Sequence, residues 1–194
     1  MTPQDLYAAK LTTPDAAVAG IASGMNVAMG MAVAEPPALL GALARRVEAA
    51  GIGDLKLWYF HSLEAAGKTV LRRELLDRVT PRCMFLSGIE RALIKGDPGR
   101  SGYGPIDFVP VAFSASPRVL AEQADLDVCI TTVSPMDRHG WFTFGTSNDY
   151  TSTAARSARR LIVEVNPAMP RVFSLTLSKT TTVSFVTRCF PMRP

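Results

Sequence analysis

Residues 133–150 read Val-Ser-Pro-Met-Asp-Arg-His-Gly-Trp-Phe-Thr-Phe-Gly-Thr-Ser-Asn-Asp-Tyr. They crowd hydroxyl, amide, carboxyl and imidazole groups between two apolar runs that read as buried strands. Ser134-Pro135 forces an extended exit from the first run, and Asp137-Arg138-His139-Gly140 has the composition of a turn. Ser147, Asn148 and Asp149 stand just before a stretch rich in alanine and arginine. Two readings stay open for them: caps of the coming helix, or the lining of a pocket beside its N-terminus.

Two more places carry groups able to act. His61 directly follows an apolar run ending in Phe60 and precedes Ser62. At a strand end its imidazole can donate to a carboxylate or thioester oxygen, carry a proton, or simply line a wall. No neighbouring Asp or Cys suggests a triad. The segment Gly30-Met-Ala-Val-Ala-Glu35-Pro36 is the third place: small residues let a ligand approach the backbone, and the helix that follows offers amides to an anion. A tight strand-to-helix turn is the alternative. It has neither a phosphate-loop lysine nor a Gly-x-Gly-x-x-Gly pattern.

These groups need a scaffold that gathers strand ends. The runs 26–30, 55–60, 83–86, 106–109, 128–133 and 161–165 read as short buried strands, and helical patterns at 37–48, 69–79, 88–95, 117–123 and 152–159 alternate with them. Thr13-Pro14-Asp15 opens a short capped helix ahead of Gly24. Over 69–79 the apolar positions 71, 75, 76 and 79 give the helical spacing, with Pro81 closing it. The alternation predicts an α/β fold, a mostly parallel sheet flanked by helices. Ligands then sit beyond the carboxyl ends of the strands, where the three places above fall.

Composition narrows the function. A chain of 194 residues with 47% apolar and 20% charged residues suits one soluble domain, and no apolar run approaches the length of a membrane span. Without a basic segment leading into an apolar stretch at the start, cytoplasmic is the default expectation. Lys179, Arg188 and Arg193 supply +3 of the net +4, which leaves the rest nearly neutral and removes the basic footprint of a nucleic-acid binder. Cys83, Cys129 and Cys189 are scattered, so no metal site is expected; Cys83 and Cys129 read as inert core residues.

Val133-Ser-Pro-Met-Asp-Arg-His-Gly, Gly145-Thr-Ser-Asn-Asp-Tyr-Thr and Glu164-Val-Asn-Pro-Ala-Met-Pro-Arg171 resemble three successive blocks of the acetyl-CoA hydrolase and CoA-transferase family, especially its 4-hydroxybutyrate and butyrate type. The third block adds Asn166 to the candidate site. The resemblance covers roughly residues 10–171 and implies the N-terminal CoA-transferase-like (NagB/RpiA/CoA-transferase-like) α/β domain. It further implies an acyl-CoA such as acetyl-CoA and a short-chain carboxylate as substrates, with coenzyme A as co-substrate and no bound cofactor. A second CoA-transferase domain or a homo-oligomer is the implied partner.

The family's chemistry is nucleophilic catalysis by a glutamate. Its carboxylate attacks the thioester, giving a mixed anhydride and CoA thiolate. The thiolate then attacks the glutamyl carbonyl to form a glutamyl-CoA thioester, which passes CoA to the acceptor. That glutamate belongs to the family's second half. Glu35, Glu64, Glu90, Glu122 and Glu164 do not occupy its motif, so no catalytic residue is carried over. The expected substrate-binding set is Gly30, Glu35, Pro36, His61, Ser134, Ser147, Asn148, Asp149 and Asn166. The resemblance fades near residue 173, and 174–194 is expected to be an atypical tail, either a divergent strand pair or the product of a reading-frame change. A domain of 1–173 without the catalytic half should be inactive alone. Acyl-CoA hydrolysis and a non-catalytic binding or assembly module are the alternatives.

Overall fold

The computed structural model describes residues 2–96, 102–172, 176–177 and 183–187. In chain order the elements are α1 (Pro3–Lys10), α2 (Pro14–Val18), β1 (Asn26–Met29), α3 (Pro37–Ala50), β2 (Leu55–Tyr59), α4 (Glu64–Gly67), β3 (Val79–Cys83), α5 (Gly88–Lys95) and β4 (Asp107–Phe108). There follow α6 (Ser116–Glu122), β5 (Val128–Val133), β6 (Phe142–Thr143), α7 (Tyr150–Ser157), β7 (Arg160–Val165), β8 (Thr176–Leu177) and β9 (Val183–Thr187).

Seven strands form one sheet in the order β4-β3-β2-β1-β5-β7-β9, and each neighbouring pair is parallel. Strands β6 and β8 make a separate antiparallel pair. The α/β fold class expected from the sequence is therefore present. Such a sheet must be covered on both faces, and alternate side chains do divide. Val27, Met29, Leu55, Leu57, Tyr59, Val128 and Ile130 join one core with Leu39, Leu40, Leu43 and Val47 of α3. Ala28, Trp58, Cys129, Val133 and Val163 join the other, with Leu120 of α6 and Tyr150 and Ala154 of α7. Cys83 and Cys129 lie buried and free, and burial pushes both thiols up to about 12, which keeps them unreactive.

From β1 the chain moves outward through β2, β3 and β4, then returns to place β5 on the other side of β1. Such reversals commonly mark the ligand edge of a parallel sheet, but here Thr131 and Thr132 of β5 bond to the loop that leaves β1, and the cavity at this edge lies between the loops that leave β2 and β3.

The segment 69–79 departs from expectation. It forms turns and a 3-10 helix at Arg73–Leu75, and the strand begins at Val79, four residues earlier than read. Pro81 lies inside β3 opposite Leu57. The bonds Leu55 N to Arg78 O and Met84 N to Tyr59 O turn the even-numbered residues of β3 toward β2. Pro81 therefore faces the side where β4 pairs only with Arg82 and Cys83, so its missing N–H breaks no ladder bond. Helix α1 was not anticipated; Thr2 and Asp5 close it with a capping box, and Pro3 starts it. The strand expected within 180–186 corresponds to β9, which pairs with β7; residues 180–182 lie outside the described residues. Among the described residues no helix is long and apolar enough to cross a membrane.

Candidate functional site

Gly30 follows β1, where the chain turns toward α3. A Cβ there would lie 2.5 Å from Thr131 Oγ1 and 2.7 Å from the Ala34 carbonyl. Its smallness therefore serves the close approach of β5 to the 30–36 turn rather than a ligand. Thr131 Oγ1 donates to Ala34 O and Thr132 Oγ1 to Glu35 O, which holds Ala32 at a φ of 53°, a costly region for a residue with a Cβ.

Glu35 is buried and turns its carboxyl toward the loop that leaves β2. It accepts from the amides of Leu63 at 2.6 Å and Ala66 at 3.4 Å, capping α4. Burial raises its carboxyl from 4.5 to about 7; the two amides oppose that rise and Glu90 adds to it. Pro36 is the buried N-cap residue of α3. The α3 amides expected to await an anion are already taken: Glu164, fully buried on β7, accepts from Ala38 N at 2.9 Å and Leu39 N at 3.2 Å. Sequence reasoning missed this because the partners stand about 125 residues apart.

His61 borders a cavity of about 410 Å³ between the loops that leave β2 and β3. Ser62, Leu63, Phe85, Ser87 and Arg91 are among its other walls. The His61 Nδ1 is buried and has no hydrogen-bond partner among the described residues. Its ring meets Phe85 edge-on at 6.3 Å. Phe85 stacks on Phe60 at 5.8 Å, and Phe60 meets Phe113 at 4.7 Å. Phe85 and Phe113 are half exposed. Neither appeared in the sequence reading, since contact between three separate loops leaves no local pattern. Beneath this wall Ser62 Oγ donates to Glu90 Oε1 at 2.5 Å.

The 133–150 segment is largely occupied with itself. Ser134 is fully buried, and its hydroxyl accepts from Thr143 N at 3.0 Å. Asp137 accepts from the amides of His139 and Trp141 and pairs with Arg171 at 3.0 Å. These amides, with Arg171 and His139, hold the Asp137 carboxyl below its usual range. Ser147 is buried, its amide bonded to Phe144 O, and Asn148 is exposed. Asp149 caps α7, accepting from Thr151 N at 2.8 Å and Thr151 Oγ1 at 2.6 Å. Its carboxyl is raised by burial, against those bonds and the nearby His61.

Tyr150 supplies the link between the separate stretches. Its hydroxyl donates to Met29 O at 2.7 Å and accepts from Phe60 N at 3.2 Å. It thereby joins the ends of β1 and β2 to the start of α7, bringing Asp149 and His61 within electrostatic reach. Asn166 is tied to β5 by its amide on Val133 O, and its side chain accepts from Ala168 N in a turn. Of the nine expected residues the structure brings His61 within electrostatic reach of Asp149 and ties Asn166 to Val133, next to Ser134; Gly30, Glu35 and Pro36 shape the turn into α3, and Ser147 and Asn148 lie in the turn before α7.

Residues 1–178 match the family model for the acetyl-CoA hydrolase/transferase N-terminal domain. The 4-hydroxybutyrate coenzyme A transferase of Clostridium kluyveri is 32% identical over 170 residues, covering 87% of this chain and 37% of its own. The butyryl-CoA:acetate CoA-transferase of Anaerostipes caccae is 34% identical over 176 residues, covering 88% and 36%. The crystal structure of RipA from Yersinia pestis superposes with a TM-score of 0.93 at 47% identity, over 98% of this chain and 45% of that one. The structure of 4-hydroxybutyrate CoA-transferase from Porphyromonas gingivalis, 24% identical with a TM-score of 0.71 over 95% and 41%, shares the fold. The chain spans just over a third of the length of these two curated relatives. It belongs to the acetyl-CoA hydrolase/transferase family, whose N-terminal domain it carries.

Proposed function

We propose that this domain forms one wall of the cleft in which a CoA-transferase brings together an acyl-CoA and a short-chain carboxylate. The observation that carries this reading is the cavity at the strand ends, walled by His61 together with the apolar Phe85 and Leu63 and the cationic Arg91. The apolar chain of the acid would lie against Phe85 and Leu63, and a turn of the His61 ring would bring its imidazole to the carboxylate or thioester oxygen. Arg91, exposed at the rim, adds a positive charge toward the acid.

The attacking glutamate comes from a second domain. Glu35, Glu90 and Glu164 are buried and spent on main-chain or serine donors. Glu64 is exposed and paired with Lys68, while Glu122 is exposed at the end of α6. Glu48 pairs with Arg72, and Glu74 lies in the turn that precedes β3. None of the seven glutamates combines access to the cleft with an oxyanion site of free amides. Transfer or hydrolysis then follows from whether an acceptor carboxylate or water takes up the glutamyl-CoA thioester, the carboxylate leaving as its own CoA thioester and water releasing free CoA.

Two measurements on the chain test this. Incubated alone with acetyl-CoA and butyrate it should form no butyryl-CoA; robust exchange would show that the nucleophile lies within it and overturn the division of labour. Butyrate should also shift the His61 ring resonances in an NMR titration, and the shift should vanish in Phe85→Asp. An unperturbed imidazole at saturating butyrate would remove His61 from the site.

A further inference from the structure

Two apolar side chains of the His61 cavity are each fixed from behind. Phe85, half exposed on the loop that leaves β3, has its amide bonded to Phe60 O at 2.7 Å. Its ring lies parallel to that of Phe60 at 5.8 Å, and Phe60 in turn meets Phe113 edge-on at 4.7 Å. Phe60 also donates its amide to the Tyr150 hydroxyl, so the support behind Phe85 is tied to α7.

Ile89, in the first turn of α5, lines the same cavity and packs against the core. It rests on Gly67 of α4: a Cβ at Gly67 would lie 2.8 Å from Ile89 Cδ1, 3.3 Å from Cγ2 and 3.4 Å from Cγ1. Gly67 is not among the glycines of positive φ, so the packing uses its missing side chain and not its backbone freedom. The turn that carries Ile89 is itself held. Ser87 Oγ accepts from Ile89 N at 3.2 Å, and Glu90 accepts from Ser87 N at 2.9 Å and from Ser62 Oγ at 2.5 Å on the loop that leaves β2. Walls packed in this way yield little, and a change of one methyl group is felt.

We propose that Phe85 and Ile89 are specificity-determining residues that set the length of the acid's apolar chain. The inference rests on the reading of this cavity as the carboxylate site. His61 and Arg91 draw the carboxylate, and the chain has Leu63, Phe85 and Ile89 as its apolar contacts. Each added methylene gains contact until the chain meets Phe85 or Ile89. A longer chain must displace a ring backed by Phe60 or a side chain backed by Gly67. Affinity therefore passes through a maximum along the series of straight-chain acids.

Titration of straight-chain acids from acetate to octanoate into the intact chain, followed by the NMR resonances of His61 and Leu63, tests it. Phe85→Ala should move the maximum to acids about two carbons longer, with the affinity for those acids relative to the parent's preferred acid rising about tenfold. Gly67→Ala should press Ile89 toward the cavity and move the maximum to shorter acids. Ile89→Val, which lacks the δ-methyl, should move it the other way. General loosening of the fold would weaken all acids alike and leave their order unchanged. A series without a maximum, or a maximum unmoved by Phe85→Ala and Ile89→Val, would overturn the length gauge while the carboxylate site stands. If no acid shifts either residue in the parent chain, the site itself falls and the gauge with it. If Gly67→Ala does not fold, Phe85→Ala and Ile89→Val decide the matter.

Discussion

Glu164→Ala should cost far more stability than Glu164→Gln, although both remove the same charge. The Glu164 carboxyl sits near the carboxyl end of β7, fully buried, and one oxygen accepts from Ala38 N and Leu39 N at the start of α3. Hydrogen bonds to a charged acceptor contribute roughly 1.5–3 kcal/mol each, and a buried amide left without a partner costs about 1–3 kcal/mol. Alanine removes the acceptor for both amides and opens a void, so a loss of about 3–5 kcal/mol is expected. Glutamine keeps an oxygen able to face both amides and loses mainly the charge at the helix N-terminus, worth about 1–2 kcal/mol. Urea unfolding followed by far-ultraviolet circular dichroism measures both, with the midpoint decisive provided the slope is unchanged. Equal losses would mean that the acceptor geometry is irrelevant and that α3 is anchored by its apolar face alone. A loss below about 1 kcal/mol for alanine would refute the capping role outright.

Tyr150→Phe deletes the hydroxyl joining Met29 O to Phe60 N; a stability loss of about 1–3 kcal/mol is expected by thermal unfolding, because two buried main-chain groups lose a partner. Gly30→Ala places a methyl 2.5 Å from Thr131 Oγ1 and should destabilise strongly in the same assay; adding Thr131→Ala should recover only part, since Ala34 O also lies at 2.7 Å. The Glu35 carboxyl, raised from 4.5 to about 7, contributes stability that is fully present below its unfolded value and is lost as pH rises through about 7. The difference is about 3 kcal/mol, and it should disappear from the pH dependence of unfolding in Glu35→Gln.

Strand and helix alternation was legible because each buried parallel strand is a short apolar run and each crossover helix carries a local pattern. The run 128–133 and the helix 88–95 coincide with β5 and α5. The segment 69–79 was misleading for a physical reason. Leu71, Leu75 and Val79 are buried and spaced as on a helix, but successive tight turns satisfy the same spacing, and a proline next to a short edge strand does not end a strand. At the site, His61 was legible as a polar ring set directly after an apolar strand. The aromatic wall of Phe85 and Phe113 was not, because its contacts join separate loops. The unusual composition of 133–150 proved to encode turns: Asp137, Ser134 and Asp149 each hold backbone groups of their own segment.

The acids at the sheet's carboxyl edge argue against a simple anion site there. Glu164 occupies the start of α3, Glu35 that of α4, Glu90 that of α5 and Asp149 that of α7. A helix N-terminus attracts anions through its free amides and the positive end of its dipole, and at each of these four helices a carboxyl group of this same chain already bonds to an amide there. An incoming carboxylate thus gains little from these helix dipoles and meets four acidic residues beneath the surface. What remains to favour it on this wall is the imidazole of His61, the charge of Arg91 and apolar contact with Phe85. Removing Arg91 by Arg91→Gln should then weaken butyrate binding several-fold and make it less sensitive to salt, as expected where one exposed cation supplies the attraction. If affinity and salt dependence were unchanged, the attraction would lie elsewhere, and this domain would contribute shape to the cleft rather than charge.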